Sequence, residues 1–187
     1  MLRSVLTVGL TTAVALASAT AFSAQTPDAP APATVVLVTT KGQIEIETLP
    51  AEAPKSVERF VQLARRALYR GQRFHWVQEN LVQTGDPLSR DMTKMDKWGT
   101  GGSGPSFSVR PVGVAETSKR PFNRGIVGLA YITGRKPETA DSQFFIVKGP
   151  SSNLNGKYAV IGRVTKGMDV VDKIARMDSI TAVTVTP

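Results

Sequence analysis

The fold turns on the stretch Ala140-Asp141-Ser142-Gln143-Phe144-Phe145-Ile146-Val147. Small and polar residues lead into a run of β-branched and aromatic ones, the composition of a strand. Alternation puts Gln143, Phe145 and Val147 on one face, and Ser142, Phe144 and Ile146 on the other. Both faces are largely apolar, so this strand is expected to be covered on both sides, within a closed sheet or beneath a helix. Gln143 and Phe145 then share a face as a polar hook beside a large apolar plate. Aromatic pairs at strand spacing usually serve the core, so the surrounding segments decide what this one does.

Working outward, residues 125–130 and 158–164 read as flanking strands, with a polar loop at 133–140 and a turn-rich connector at 151–157. Further upstream, residues 73–77 and 81–83 are strand-like, and Thr84-Gly85-Asp86-Pro87 ends the second. Residues 34–39 and 43–48 form an antiparallel hairpin around Gly42, with Ile44 and Ile46 alternating against Glu45 and Glu47. Residues 180–186 supply a closing strand. Two segments carry helical periodicity instead. From Pro54 to about residue 69, Val57, Phe60, Val61, Ala64 and Leu68 make an apolar stripe, and from 168 to 177 Val170, Val171 and Ile174 do the same. About eight strands and two distant helices, without a βαβ rhythm, predict a mainly β protein: an antiparallel barrel or sandwich with helices at its ends.

Composition removes several kinds of chemistry. The 187 residues contain no cysteine and one histidine, His75, which excludes disulfides, thiol nucleophiles and multi-histidine or cysteine-based metal sites. No Gly-x-Ser-x-Gly elbow, P-loop or dinucleotide fingerprint is present. The Trp98-Gly99-Thr100-Gly101-Gly102-Ser103-Gly104-Pro105 segment lacks the lysine ending of a phosphate cradle and reads as a structural loop with positive-φ glycines. Neither cofactor nor metal is expected. The net charge is +8, but the basic residues are dispersed, so a solvated basic surface is expected and no nucleic-acid partner.

Residues 1–24 read as a secretory signal: Arg3, an alanine-rich apolar stretch, then small-residue cleavage patterns. That stretch is short for a membrane span, so no stable membrane insertion is expected. Residues 25–33 are a proline-alanine linker, and the folded domain is expected to occupy 34–187. Export to a periplasmic or extracellular location follows from this reading.

The ordered set of motifs then resembles the cyclophilins, the peptidyl-prolyl cis–trans isomerases. It comprises Phe74-His75 with Gln83-Thr84-Gly85-Asp86, residues 125–130, Ser142-Gln143-Phe144-Phe145-Ile146, residues 153–162, and Gly167-Met168-Asp169-Val170-Val171. The resemblance implies a closed eight-stranded antiparallel β-barrel capped by two α-helices, with a substrate groove on its outer wall. It also implies proline-containing, unfolded or extended polypeptides as partners, and a monomer is expected. By the same resemblance Phe145 is the pocket floor, Gln83 bonds the substrate backbone, and His75 and Trp76 stand at the catalytic strand. Leu81 or Val82, Ala130, Leu154 and Tyr158 line the pocket. Rotation of the prolyl bond breaks no covalent bond, so the chemistry needs only differential stabilisation of the twisted amide.

Two departures stand out. The family carries arginine after its Phe-His pair, where this chain has Trp76, which has an indole N–H but no charge. The segment from His75 to Gln83 is also one residue shorter than usual, which leaves the choice between Leu81 and Val82 open. Arg73 and Arg124 are candidates to supply the missing cation. Asn153 and Tyr158 replace a tryptophan and a histidine common in eukaryotic members. The alternative to a prolyl isomerase is a non-catalytic proline-peptide-binding chaperone or docking module; an unrelated secreted lectin or lipid carrier is a distant third.

Overall fold

In the computed structural model, residues 31–104 and 111–187 are described. The expected signal segment and most of the expected linker lie outside them. Eight strands are present: β1 (Thr34–Thr39), β2 (Gly42–Thr48), β3 (Trp76–Val77), β4 (Leu81–Thr84), β5 (Ile126–Leu129), β6 (Phe144–Val147), β7 (Ala159–Lys166) and β8 (Ile180–Thr186). They form one sheet in the order β3-β4-β6-β5-β7-β2-β1-β8, with every paired neighbour antiparallel.

The sheet curls until its edges meet in a short seam. Arg73 and Ser179 form an isolated bridge, the Phe74 N–H donates to the Asp178 carbonyl at 2.9 Å, and the Ile180 N–H donates to Gln72 at 2.9 Å. Closure is therefore approximate rather than the continuous barrel expected. The edge strand β3 has only two residues, too few for a full ladder with β8.

Alternation in β6 sorts the deciding stretch as its pattern requires. Phe144 and Ile146 point into the curl, where they join Leu37, Ile44, Val127 and Leu129 in the main core. Phe145 and Val147 point outward into a second, smaller cluster. Each such fully buried side chain contributes roughly 1.5–3 kcal/mol through removal of apolar area from water.

Helix α1 (Pro54–Arg65) closes one opening, with Pro54 in its first turn where the absent N–H leaves nothing unsatisfied. Its Phe60 meets the Phe144 ring edge-on at 5.1 Å, and Tyr69 meets the same ring at 5.1 Å and 84°. The helix ends four residues before the expected 69 because Ala67 takes φ 54°, turning the chain back. Leu68 and Tyr69 remain buried, so the apolar periodicity outlasts the helix. Helix α2 (Met168–Lys173) packs against β2 and is likewise shorter than expected, since Ile174 is already extended while its side chain stays buried. No helix among the described residues is long and apolar enough to cross a membrane.

Candidate functional site

Register across four strands builds the site. Trp76 pairs with Gln83, Gln83 with Phe145, and Phe145 with Gly128, so these residues stand in one row on the outer face of the wall. Gly128 has no side chain for a steric reason: a Cβ there would lie 2.3 Å from Phe145 Cζ and 2.9 Å from Phe122 Cε1. The Phe145 ring therefore lies flat across β5, held by Phe122 at 5.6 Å and, edge-on, by Tyr158 at 5.2 Å. Gly128→Ala is expected to push that ring aside and lower stability by about 1–3 kcal/mol, the cost of an overpacked core. Urea unfolding of the variant checks this, and an unchanged midpoint would mean that the ring had room to spare.

Above Phe145, which is 3 % exposed, opens a cavity of about 250 Å³. Leu81, Gln83, Ala130, Leu154 and Tyr158 line it, with Trp76 on its rim at 46 % exposure. Gln78, Asn80, Tyr131, Thr133 and Asn153 complete the described lining, and none of these residues carries a charge. Such a surface offers van der Waals contact and neutral hydrogen bonds to an apolar ring beside a peptide backbone.

One amide N–H of Gln83 donates to Gln143 Oε1 at 2.9 Å. Its second N–H and its carbonyl are the groups it offers a ligand. Gln143 in turn donates to the carbonyls of Gly99 (3.0 Å) and Gly101 (2.8 Å), tying the glycine-rich loop to the sheet. From the other side, the buried Asp86 carboxylate accepts from the N–H groups of Gly99 (2.6 Å), Gly101 (3.1 Å) and Leu88 (2.8 Å). A Cβ on Gly101 would sit 2.2 Å from Asp86 Oδ1, so close approach, rather than positive φ, dictates glycine there. Asp141 secures the end of the loop by accepting from the Ser103 N–H at 2.6 Å and from the buried Arg59 of α1.

Three sequence expectations are corrected by this geometry. Val82 points into the main core and is fully buried, so Leu81 alone of that pair lines the cavity. Strand alternation forces the choice, because Leu81 and Gln83 share the outer face. His75, expected among the catalytic residues, lies buried with its ring 3.5 Å from where a Gly99 Cβ would be, and it is not part of the cavity lining. Neither candidate arginine substitutes for the missing cation. Arg73 donates to the carbonyls of Ser89 and Arg90, and Arg124 forks onto Asp172 and bonds the Lys148 carbonyl. The structure does gather Phe145, Gln83, Trp76, Leu81, Ala130, Leu154 and Tyr158 around one opening.

Burial holds the His75 imidazole below its ordinary pKa, an effect only partly opposed by Asp86 and by the nearby Arg73 backbone and Gln143 side chain, and Arg176 adds to the lowering. Neither ring nitrogen reaches hydrogen-bonding geometry with a described group. The unfolded chain therefore takes up a proton at His75 at a higher pH than the folded one. Stability from the neutral ring is complete above the unfolded value, about 6.5, and is lost as pH falls toward the lower folded value. Thermal melts are expected to be flat above about pH 7 and to decline below it, with His75→Gln removing that part of the slope. An identical slope in the variant would place the titrating group elsewhere.

Sequence reasoning missed Tyr131 and Phe122. Tyr131 stacks on Tyr158 at 4.9 Å and 26°, and Phe122 backs Phe145. Tyr131 follows directly after Ala130, beyond the end of β5, where strand alternation gives no orientation. Only its position next to a pocket residue could have signalled it.

A curled antiparallel sheet bearing an aromatic-floored groove, uncharged among its described residues, defines the class of β protein to which this chain belongs. The Cyclophilin type peptidyl-prolyl cis-trans isomerase/CLD family matches residues 34–186, and the chain belongs to that family. A probable peptidyl-prolyl cis-trans isomerase of Brucella abortus is 38 % identical over 179 residues, covering 94 % of this chain and 86 % of that protein. The human peptidyl-prolyl cis-trans isomerase-like 1 is 31 % identical over 155 residues, covering 82 % and 86 %. In three dimensions, a Cryptosporidium parvum cyclophilin type peptidyl-prolyl cis-trans isomerase superposes with TM-score 0.68 at 23 % identity, covering 84 % of this chain and 99 % of that one. The same parasite protein has also been solved in the presence of the dipeptide Ala-Pro, with TM-score 0.66 to this chain at 23 % identity, covering 82 % and 99 %.

Proposed function

We propose that this protein isomerises Xaa-Pro bonds in exported polypeptides, as a monomer that needs no cofactor, and that it does so slowly because Trp76 stands where the family carries arginine. The observation that carries this reading is the row Trp76–Gln83–Phe145–Gly128, which places an apolar floor beside the Gln83 amide, one N–H of which is held by Gln143, beneath an open cavity. A prolyl ring seated on Phe145 gains roughly 1.5–3 kcal/mol from burial, enough for transient capture. Gln83 bonds the backbone on one side of the prolyl bond while the other flank stays free to turn. The Ala-Pro dipeptide used with the Cryptosporidium protein supports a proline-peptide ligand for the family. Export rests on the sequence of residues 1–24, and clients are accordingly chains folding outside the cytoplasm.

The uncharged lining favours a second reading, a proline-binding module without turnover. Magnetisation-exchange NMR on an Ala-Pro peptide separates the two. The first reading predicts cis–trans exchange that grows with protein concentration. Peptide shifts without exchange, at high protein concentration, would leave only binding.

A further inference from the structure

Along the chain the cations are dispersed, but the fold gathers several of them where the edges of the wall meet. Arg73 donates from Nη1 to the carbonyls of Ser89 (2.9 Å) and Arg90 (3.0 Å). Arg90 in turn donates to the carbonyls of Leu68 and Arg70. Across the seam, the Met177 N–H donates to the Phe74 carbonyl at 3.1 Å. The neighbouring Arg176 guanidinium lies 5.9 Å from the Trp98 ring, whose Nε1–H donates to the Asp91 carbonyl at 3.1 Å. These contacts close a circuit, so Arg70, Arg73, Arg90 and Arg176 share one surface with the exposed side chains of Met92 and Met177. We propose that this surface docks on an anionic phospholipid bilayer, with the two methionines entering the headgroup layer and the arginines holding its phosphates.

Charge comes first. Lys94 and Lys97, in the 3₁₀ turn Met92–Lys97, are matched by Asp91 and Asp96, and Asp178 beside the seam is engaged by Lys41. The four arginines form no ion pair with any carboxylate among the described residues, so their charge is left to an outside partner. Backbone carbonyls fix Arg73 and Arg90 in place, while Arg70 and Arg176 reach into solvent. A guanidinium fork fits phosphate oxygens in pairs, which an ammonium does not.

The apolar groups then choose between anionic partners. Of the large apolar side chains exposed among the described residues, Trp76 rims the groove, and the other two are Met92 at 43 % and Met177 at 47 %. Met177 is held at φ 80°, a left-handed conformation that glycine would take without strain. Unbranched thioether side chains adapt to an irregular apolar layer. Exposed apolar groups within a basic rim are the composition of a peripheral membrane contact. A single-stranded nucleic acid would call for open aromatic faces, whereas Trp98 is half-buried beneath Arg176. None of these six residues is in the described lining of the proline cavity, so the surface is separate from the groove and from the function proposed for it.

The test partitions the full chain onto vesicles of phosphatidylcholine alone and of phosphatidylcholine with about 30 % phosphatidylglycerol, which supplies a negative surface. Residues 1–24 are common to every variant, so ratios between variants cancel their share. Arg70→Gln combined with Arg176→Gln should weaken binding to the anionic vesicles by about 25-fold, roughly 5-fold for each cation removed from the surface. Neither guanidinium bonds a described carbonyl, so this double variant leaves the hydrogen bonds of the fold in place. Met177→Gly suits the left-handed backbone and should weaken binding by roughly 3- to 10-fold, the effect of burying the exposed half of one methionine. In methyl NMR, a spin-labelled lipid in the anionic vesicles should broaden Met92 and Met177 and spare Met168, which packs against the core. Equal affinity of wild type and the arginine double variant would overturn the inference. So would arginine-dependent binding that neither broadens the two methionines nor responds to Met177→Gly, the outcome expected of a site for a soluble polyanion such as a nucleic acid or an acidic polypeptide.

Discussion

Trp76→Arg is expected to raise kcat/KM for Xaa-Pro isomerisation by roughly 10- to 150-fold, the largest gain foreseen for any single change in this chain. The prolyl nitrogen becomes more basic as amide resonance is lost, so a guanidinium beside it stabilises the twisted state more than the planar one. A charge-assisted hydrogen bond of about 1.5–3 kcal/mol gives the stated range. Trp76 occupies the right place for the exchange, since it pairs with Gln83 across β3 and β4 and lines the cavity. An exposure of 46 % also means that replacing it disturbs little packing. KM should change little while kcat rises, because the new interaction is made mainly in the twisted state. An unchanged rate would mean that Trp76 is not what limits turnover.

The second large effect is on stability. Arg59→Met breaks the ion pair that joins α1 to Asp141, and the arginine is 3 % exposed against 17 % for its partner. Removing one member of a buried pair leaves the other charged and poorly solvated, at a cost of about 3–5 kcal/mol. For a domain of this size that corresponds to a fall in Tm of roughly 6–20 °C. Because Asp141 also holds Ser103, the glycine-rich loop should loosen in the same variant, visible as faster amide exchange at Gly101 and Ser103. Arg59→Met combined with Asp141→Leu should recover much of the lost stability, since an apolar pair of similar volume carries no stranded charge. A double variant no better than the single would show that the loss lies in packing rather than in charge.

Much of this structure was legible beforehand because period-2 alternation is a local signal. The β6 stretch declared both of its faces, and Phe144 and Phe145 went to separate clusters accordingly. Helix α1 announced its start through Pro54, but its end depended on a left-handed Ala67 that no periodicity encodes. Closure of the wall was over-read, since two residues of β3 cannot sustain a ladder.

Within the site, Phe145 and Gln83 were found through their motif, whereas the choice between Leu81 and Val82 needed the pairing of Gln83 with Phe145 to fix the register. The fates of Arg73 and Arg124 were not legible at all. A long flexible side chain goes wherever a carbonyl or carboxylate lies within reach, and only the fold reveals those partners. Gly128 is visible in the sequence only as part of a motif; its physical reason is the Phe145 ring, which leaves no room for a Cβ there.

The central claim is that a prolyl ring sits on Phe145 beside Gln83. Intermolecular NOEs between a bound Ala-Pro peptide and the protein test it most directly. The account predicts contacts from the proline ring protons to the Phe145 and Tyr158 rings, and from the peptide backbone to the Gln83 side-chain amide. Proline contacts confined to another face of the sheet, with none to Phe145, would contradict it.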